Sequence, residues 1–504
     1  MSYLLAIDQG TTNSRAILFN RDGELISQYE VPLSLFFPHD GWVEQDPEEM
    51  FTNTVTCCRE VMKRASIKTN LIKAIGISNQ RETTIIWDKQ TGVPIYPAIC
   101  WQDRRTSALC KDLAKTALAE QIPKKTGLLL DPYFSATKIV WILEHVPHAK
   151  EKALRQELLF GTVDTFLLWK LTNGKAHKTD ASNASRTMLF NLHTQCWDSD
   201  ILKAFAIPQT LLPEVLDNAA HFGDIHVDIL GQSIPITGMA GDQQAATIGQ
   251  ACFSKGMVKA TYGTGCFMLL NTGSQVIQSK HHLISTVAYR LNQQVTYGLE
   301  GSIFCAGVTV KWLRDTLKLI QTAAETEVLA NAVKDTGGVY LVPAFTGLGA
   351  PYWDPEARGA ILGLTRNSNR EHIVRAALES VAYQTNDLLH AMLADSQTTL
   401  TTLRVDGGMT ANRWLLQFLA DILYVHVERP SCIETSAKGV AFLAGLYIGL
   451  YQSLDEISQL WRMEERFSST MSASLRDQLY SGWLSAVSRV VSKEIRSSNT
   501  KHSP

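Results

Sequence analysis

The chain has no Cys-x-x-Cys, no run of Lys and Arg, and no apolar stretch long enough to cross a membrane. Its 9 cysteines in 504 residues are scattered, with Cys57-Cys58 the single close pair. Neither a disulfide framework nor a zinc site is indicated, and the thiols read as the reduced, buried kind of a cytoplasmic protein. Lys and Arg number 47 against 49 Asp and Glu, a formal net charge of −2, which gives no electrostatic case for nucleic acid or an anionic membrane. The most apolar candidate span, residues 439–450, falls short of the ~18 residues that crossing requires. Asp8 interrupts the first apolar run, which has no basic flank, so no signal peptide is expected. Three phosphate-binding signatures are also missing. The absence of G-x-x-x-x-G-K-[ST] excludes a P-loop. The absence of H-R-D and D-F-G excludes a protein-kinase site. Gly263-Thr-Gly265 lacks the third glycine of a dinucleotide fingerprint. Any nucleotide site must be two-lobed and built from hairpins.

What is present suits a large globular protein: 45% hydrophobic and 19% charged residues allow two or three cores. The organising stretch is 4–19, two short apolar runs around a polar tip, which reads as strand, tight turn and returning strand. At the tip, Gly10 lets backbone N–H groups approach a ligand, Thr11, Thr12, Asn13 and Ser14 offer donors, and Arg15 adds fixed positive charge. That set suits phosphate, and Asp8, a hard oxygen ligand at a strand end, suits Mg2+ beside it. A tip that is merely solvated fits the same residues. Around residue 250 the pattern restarts: 257–271 reads as strand, tip Gly263-Thr264-Gly265, strand. Two such tips across a cleft could grip one phosphate chain from both sides.

Between and beyond them the chain alternates strands and helices. Asp46-Pro47 opens a helix over 47–65, with Asp46 as N-cap and Pro47 at the first helical position. A buried strand over 72–78 delivers Arg81 and Glu82 at its C-terminal end, where α/β sheets place ligands, before a strand resumes at 83–87. Trp101 and Tyr133 are aromatics in polar settings, compatible with half-buried packing or a ligand wall. Helices are predicted over 106–119 and 135–143, a strand leading into a helix at 158–164, and loops with short strands over 213–236. Residues 235–246 read as strand, Gly-rich turn and helix start, with Asp242 either capping that helix or reacting, and both roles can hold. A helix is predicted over 301–319, carrying Gly307 and Lys311, and a strand over 339–343. A long helix over 369–394 has a capping box in Ser368 and Glu371. The strand 402–406, Gly407-Gly408 and a helix over 412–423 present backbone suited to a nucleotide. A tightly packed helix over 436–450 follows, and the tail after 496 reads as frayed.

Taken together these stretches closely resemble the FGGY carbohydrate kinase family, over nearly the whole chain. The resemblance rests on Asp8-Gln-Gly-Thr-Thr-x-Ser-Arg15, Asn79-Gln-Arg-Glu-Thr-Thr84, Gly161-Thr-Val-Asp-Thr165, Asn183-Ala-Ser-Arg-Thr-Met-Leu-Phe190, Ala240-Gly-Asp-Gln-Gln-Ala245, Tyr262-Gly-Thr-Gly-Cys-Phe267 and the stretch from Pro343 to Asp354. The two broader family signatures, from Tyr133 and from Gly359, are present as well. The resemblance implies an α/β, two-domain actin-like (ribonuclease H-like) ATPase fold with a central nucleotide cleft. It implies an N-terminal domain over 1–250 with the acceptor site and first phosphate hairpin, and a C-terminal domain over 251–504 with the second hairpin and the adenine side. Within the family, the motifs match members that transfer the γ-phosphoryl group of ATP·Mg2+ to the terminal (sn-3) hydroxyl of glycerol. By that analogy Arg81, Glu82, Tyr133, Asp242 and Gln243 bind the triol, Trp101 and Phe267 form its apolar wall, and Asp242 is the general base. Asp8 orients Mg2+, Thr11, Thr12, Asn13, Arg15 and Thr264 hold phosphates, and Gly307, Lys311, Gly408 and Asn412 line the rest of the nucleotide site. Lys311 departs from the pattern, since relatives commonly carry an amide there. The implied partners are glycerol and ATP/ADP, with a homodimer or homotetramer in the cytoplasm and neither nucleic acid nor membrane insertion. Relatives inhibited by fructose 1,6-bisphosphate carry Arg where this chain has Ser233, so weak or no such inhibition is expected. Others are phosphorylated on a His in the same loop, where Asp228 stands here and His226 is off register. A kinase for another small polyol or sugar is the nearest alternative, and an actin-like ATPase with no metabolite substrate is the more distant one.

Overall fold

The computed structural model describes residues 2–354 and 356–492. Strands of its two large sheets are numbered β1–β13 in chain order. The first sheet is built from β1 (Tyr3–Gln9), β2 (Asn13–Asn20), β3 (Leu25–Pro32), β4 (Ile72–Asn79), β5 (Ala219–Asp224) and β6 (Pro235–Gly241), in the order β5-β6-β4-β1-β2-β3. Leu4–Ile7 and Ala16–Phe19 are at most 1% exposed, and such near-continuous apolar runs are what strands covered on both faces require. β1 pairs antiparallel with β2, setting Asp8 opposite Arg15. It pairs in parallel with β4, which is parallel to β6 in turn. Three strands therefore end on one edge, where β1 carries Asp8, β4 leads into Arg81 and Glu82, and β6 leads into Asp242.

The second sheet repeats this plan. Its strands are β7 (Val258–Tyr262), β8 (Cys266–Gly273), β9 (Ile284–Leu291), β10 (Gln294–Ile303), β11 (Thr402–Asp406), β12 (His426–Pro430) and β13 (Met463–Phe467), ordered β9-β10-β8-β7-β11-β12-β13. The series β10-β8-β7-β11-β12 has the same sequence of antiparallel, antiparallel, parallel and parallel pairings as β3-β2-β1-β4-β6. Each series even carries one antiparallel strand beyond its last member, β13 or β5. The repeat expected from the two hairpins thus extends through both halves.

Helices cover the sheets. α1 (Pro47–Ala65) starts as expected: the Asp46 carboxylate accepts from the Glu48 N–H, Pro47 stands at the first position, and Ser66 closes the helix at φ 54°. α2 (Val163–Leu171) joins α1 on the same core as Ile75, Ile77 and Trp87. The other face of the first sheet is covered by two helices, α3 (Asp242–Gly249) and, from far along the chain, α7 (Thr435–Tyr447). Between them in sequence lie α4 (Gly307–Asp315), α5 (Arg370–Ser396) and α6 (Arg413–Leu423). α3 and α7 cross almost backbone to backbone: a Cβ on Gly439 would lie 1.8 Å from the Ala245 carbonyl oxygen, and one on Gly249 2.0 Å from that of Thr435. Only glycine permits that approach.

Four expectations change. The helix predicted over 301–319 starts only at Gly307, because residues 301–303 complete β10 by pairing with Cys266–Met268. The helix predicted over 106–119 is two, Ser107–Leu113 and Leu118–Thr126. Thr116 divides them, its hydroxyl donating to the Leu113 carbonyl and accepting from the Leu118 N–H. The strand expected from residue 83 begins at Ile85, since Glu82 has left-handed backbone at φ 62°. The long helix α5 is capped one residue later than expected, by Asn369 and His372 in place of Ser368 and Glu371. Residues after 496 lie outside the described residues.

Candidate active site

The end of β4 and the start of α3 meet around the Arg81 guanidinium. Its Nε is 3.0 Å from Asp242 Oδ1, and its Nη1 and Nη2 donate to Glu300 Oε2 and Oε1 at 2.5 and 3.1 Å. The second guanidinium, of Arg186, donates from Nε to Glu82 Oε1 at 2.6 Å and stands 3.0 Å from Glu300 Oε1. A ladder of alternating charge results, running Glu82, Arg186, Glu300, Arg81, Asp242. Its first four members are at most 3% exposed, while the Asp242 side chain keeps 34% exposure. Burial pushes the Glu82 carboxyl above its ordinary value, against the pull of Arg186 and Arg81. Glu300 is also pushed up by burial, but Arg186 and Arg81 outweigh that and hold it below the usual range. Asp242 is raised by desolvation and drawn back by Arg81, then Lys259 and Gln243; water at its exposed edge tempers the rise. Buried ions at this density stand only because each has a partner. The left-handed backbone at Glu82 adds strain of the kind that clusters at sites where a side chain must be aimed.

Beside the ladder stands an aromatic wall. Trp101 meets Tyr133 and Phe267 edge to face, with centroids 5.6 and 6.3 Å apart. Arg81 lies over the Phe267 ring at 5.7 Å and Arg186 the same distance from Tyr133. Gln243, 5% exposed, donates its backbone N–H to Asp242 Oδ1 at 2.7 Å and its side-chain amide to Oδ2 at 3.2 Å. All seven residues expected at the acceptor are therefore gathered in one place.

Trp101 also ties this wall to the first hairpin, its Nε1 donating to Thr11 Oγ1 at 2.9 Å. Phe267 lies in β8, two residues after the second tip, so one indole touches the first tip through Thr11 and the strand beyond the second through Phe267. Arg15 Nη2 is 2.5 Å from Asp8 Oδ2, and its Nη1 is 2.7 Å from Glu434 Oε2, just before α7. Asp8, then Glu434, hold the guanidinium proton more firmly than usual. Thr12 is exposed, and Asn13 donates to Glu30 at 3.1 Å. At the second tip Thr264 is exposed, while the Gly263 and Thr264 carbonyls accept from the Gly307 and Val308 N–H groups, both at 3.0 Å. A Cβ on Gly307 would lie 2.5 Å from the Gly263 oxygen. Gly408 faces open space, and Asn412 caps α6 by accepting from Leu415 N–H at 2.9 Å while donating to Thr326 at 3.1 Å. Lys311 is exposed on α4 one turn after Gly307. Among the described residues, no group of three or more His, Cys, Asp and Glu could hold a metal by itself.

Sequence reasoning missed Glu300 and Lys259 and left Arg186 without a role although it stands in a quoted motif. The signal was present: each of the first two is the lone charge of an otherwise uncharged strand, and buried charges occur where something must be paired.

Two like-built α/β lobes with hairpin tips and carboxylates at one cleft define the actin-like ATPase class. The structure superposes on that of Plasmodium falciparum glycerol kinase with ADP at a TM-score of 0.91, with 39% identity over 98% of this chain and 99% of that one. A xylulose kinase from Lactobacillus acidophilus has the same fold at 0.87, with 22% identity over 96% and 98%. Residues 3–249 match the N-terminal domain, and 258–447 the C-terminal domain, of the FGGY family of carbohydrate kinases. The chain belongs to that family. It is 60% identical to glycerol kinase of Coxiella burnetii (strain RSA 493 / Nine Mile phase I) over 97% of this chain and 98% of that protein, and 57% identical to glycerol kinase 1 of Pseudomonas aeruginosa over 97% and 99%.

Proposed function

We propose that the chain transfers the γ-phosphoryl group of ATP to the sn-3 hydroxyl of glycerol, in glycerol catabolism, with Asp242 as general base. The observation that carries this reading is the contact of Arg81 with Asp242 at 3.0 Å, backed by Glu82 and faced by Trp101, Tyr133 and Phe267. Three adjacent hydroxyls need donors and acceptors together, which Arg81, Glu82 and Gln243 supply, and a carbon edge needs an apolar cover. The Arg81–Glu82 pair set against the Trp101 and Phe267 rings favours a small polyol. Residues 1–250 form the domain that binds the acceptor, and 251–504 the domain that carries the second tip and the adenine side.

Phosphoryl transfer passes through a loose transition state, so positioning and charge stabilisation do most of the catalysis. Asp242, its Oδ1 already anchored by Arg81 and its own helix's first free N–H, accepts the hydroxyl proton as the new bond forms. Arg15, Thr11, Thr12, Asn13 and Thr264 hold the phosphates, and Gly307, Lys311, Gly408 and Asn412 border the nucleotide. The donor set fits Mg2+: one hard carboxylate, Asp8, beside a phosphate tip is what an ion delivered on a nucleotide needs. When bound, Mg2+ neutralises charge on the phosphate oxygens. A homodimer or homotetramer in the cytoplasm and weak or no fructose 1,6-bisphosphate inhibition, given Ser233, belong to the same reading.

Coupled detection of ADP release over a panel of polyols and sugars tests it: turnover is expected with glycerol above xylulose or ribulose, and the reverse order would transfer the chain to another acceptor. ATP turnover indifferent to any acceptor would end the kinase reading. Asp242→Asn is expected to lower kcat by about 10²–10⁴-fold with ATP binding by calorimetry nearly unchanged; retained turnover would remove Asp242 as the base.

A further inference from the structure

We propose that Lys259 is a positioning residue for the transfer: from β7, in the second half of the chain, it fixes the side-chain amide of Gln243 and so sets the surroundings of Asp242. The proposal rests on the reading of Asp242 as the general base. Lys259 is 0% exposed, the lone charge of a strand whose other members are Val258, Ala260, Thr261 and Tyr262. Its Nζ donates to Gln243 Oε1 and, at 3.0 Å, to Thr261 Oγ1. An ammonium has donors only, so the Gln243 amide must turn its oxygen toward Lys259. Its NH2 then has one direction left, and lies 3.2 Å from Asp242 Oδ2. Without the lysine the amide is free to flip and present its oxygen to the carboxylate, which would repel it.

The charge acts in the same direction as the geometry. The groups facing Lys259 are Asp406 from β11, Glu300 from β10, Asp242 and Gln243 from α3, Arg81 after β4, and the thiols of Cys252 and Cys266. Burial draws the ammonium down, and Asp406, Asp242 and Glu300 partly restore it. Around Asp242 itself stand Arg81, Lys259 and Gln243, all of which favour the ionised form able to accept a proton. A lysine that only neutralised Asp406 and Glu300 would be needed for folding and would leave the proton affinity of Asp242 where it is.

The discriminating measurement is the pH profile of kcat/KM for glycerol, with thermal unfolding and ADP calorimetry as checks of an intact fold. In Lys259→Met the acid limb is expected to move to higher pH by about half to one unit, and kcat/KM at neutral pH to fall about tenfold while ADP affinity stays within about twofold. Lys259→Arg, which keeps charge and donors, is expected to hold the limb near its original place. A folded Lys259→Met with an unmoved limb would overturn the proposal. Should Lys259→Met not fold, Lys259→Gln keeps a polar group of similar length in the strand while removing the charge: a limb moved upward supports the proposal, and an unmoved one overturns it. Turnover by Asp242→Asn would remove the base reading itself, whereas an inactive Asp242→Asn beside an unmoved Lys259→Met limb removes only the role of Lys259.

Discussion

The two sides of the proposed site differ in how deeply their ion pairs are buried: Arg81 and Glu300 at 2% side-chain exposure each, Arg15 at 30%. On the proposed acceptor side, Arg81, Glu82, Arg186 and Glu300 are almost wholly buried and paired to one another. On the proposed nucleotide side, Thr12, Thr264, Lys311 and Gly408 are exposed, and what is fixed lies around them: Arg15 between Asp8 and Glu434, and the Gly263 and Thr264 carbonyls on the first turn of α4. A small neutral triol offers little binding energy, so its receptor must be pre-organised at the expense of burying ions. A nucleotide brings its own charge and area, for which exposed tips rich in backbone N–H groups suffice.

The comparison breaks most sharply at Glu300. Glu300→Ala leaves two buried guanidiniums without their shared partner and is expected to cost about 3–5 kcal/mol, read as a lower unfolding midpoint together with a large rise in KM for glycerol. Equal losses for glycerol and ATP would show that the two sides are not independent. Asp387 supplies a buried carboxylate of a different kind, with neutral donors only: Tyr352 at 3.0 Å, Tyr480 at 2.5 Å and Trp483 at 2.8 Å. Burial pushes it up to about 6. Because the folded state holds that proton more tightly than the unfolded chain, the stabilisation is full below the ordinary carboxylate value and is lost as pH rises through about 6. The loss is on the order of 3 kcal/mol. Asp387→Asn is therefore expected to gain thermal stability on the wild type as pH goes from 4 to about 7; parallel curves would show that the site is better compensated than its partners suggest. The smallest effect belongs to the proposed nucleotide side. Gly307→Ala drives a methyl group to 2.5 Å from the Gly263 oxygen, and displacement of the tip should raise KM for ATP about tenfold, with glycerol KM changed less. An equal change in both would mean that the tip also shapes the acceptor pocket.

Much of this was readable from residue order. The opening hairpin, α1 with its Asp46 cap, β11 and α6 follow from local rules, apolar period and turn chemistry, that act within a few residues. The error at 301–303 came from long range: Gly-Ser-Ile has no strong preference of its own, and β8, more than thirty residues upstream, recruits it into the sheet. The same holds for the site. Arg81, Glu82 and Asp242 stand at the ends of strands, where position announces function. Glu300 and Lys259 sit inside strands of the other half, and only the packing of the two halves together brings them to Arg81, Gln243 and the proposed base. Their partners are 219 and 16 residues away, separations that no local pattern encodes.

The crossing of α3 and α7 has a mechanical consequence. Two helices that touch through Gly249 and Gly439, with carbonyls where side chains would interlock, are held at a distance set by backbone alone at that point, while Ala245, Ile248, Ala437 and Val440 share one core around it. The contact also lies close to Asp242, whose carbonyl accepts from Ser436 at 2.9 Å. A methyl group at either glycine would act as a wedge, 1.8 or 2.0 Å from a carbonyl oxygen, and forcing the two helices apart would shift the start of α3, and with it Asp242, against Arg81 and Ser436.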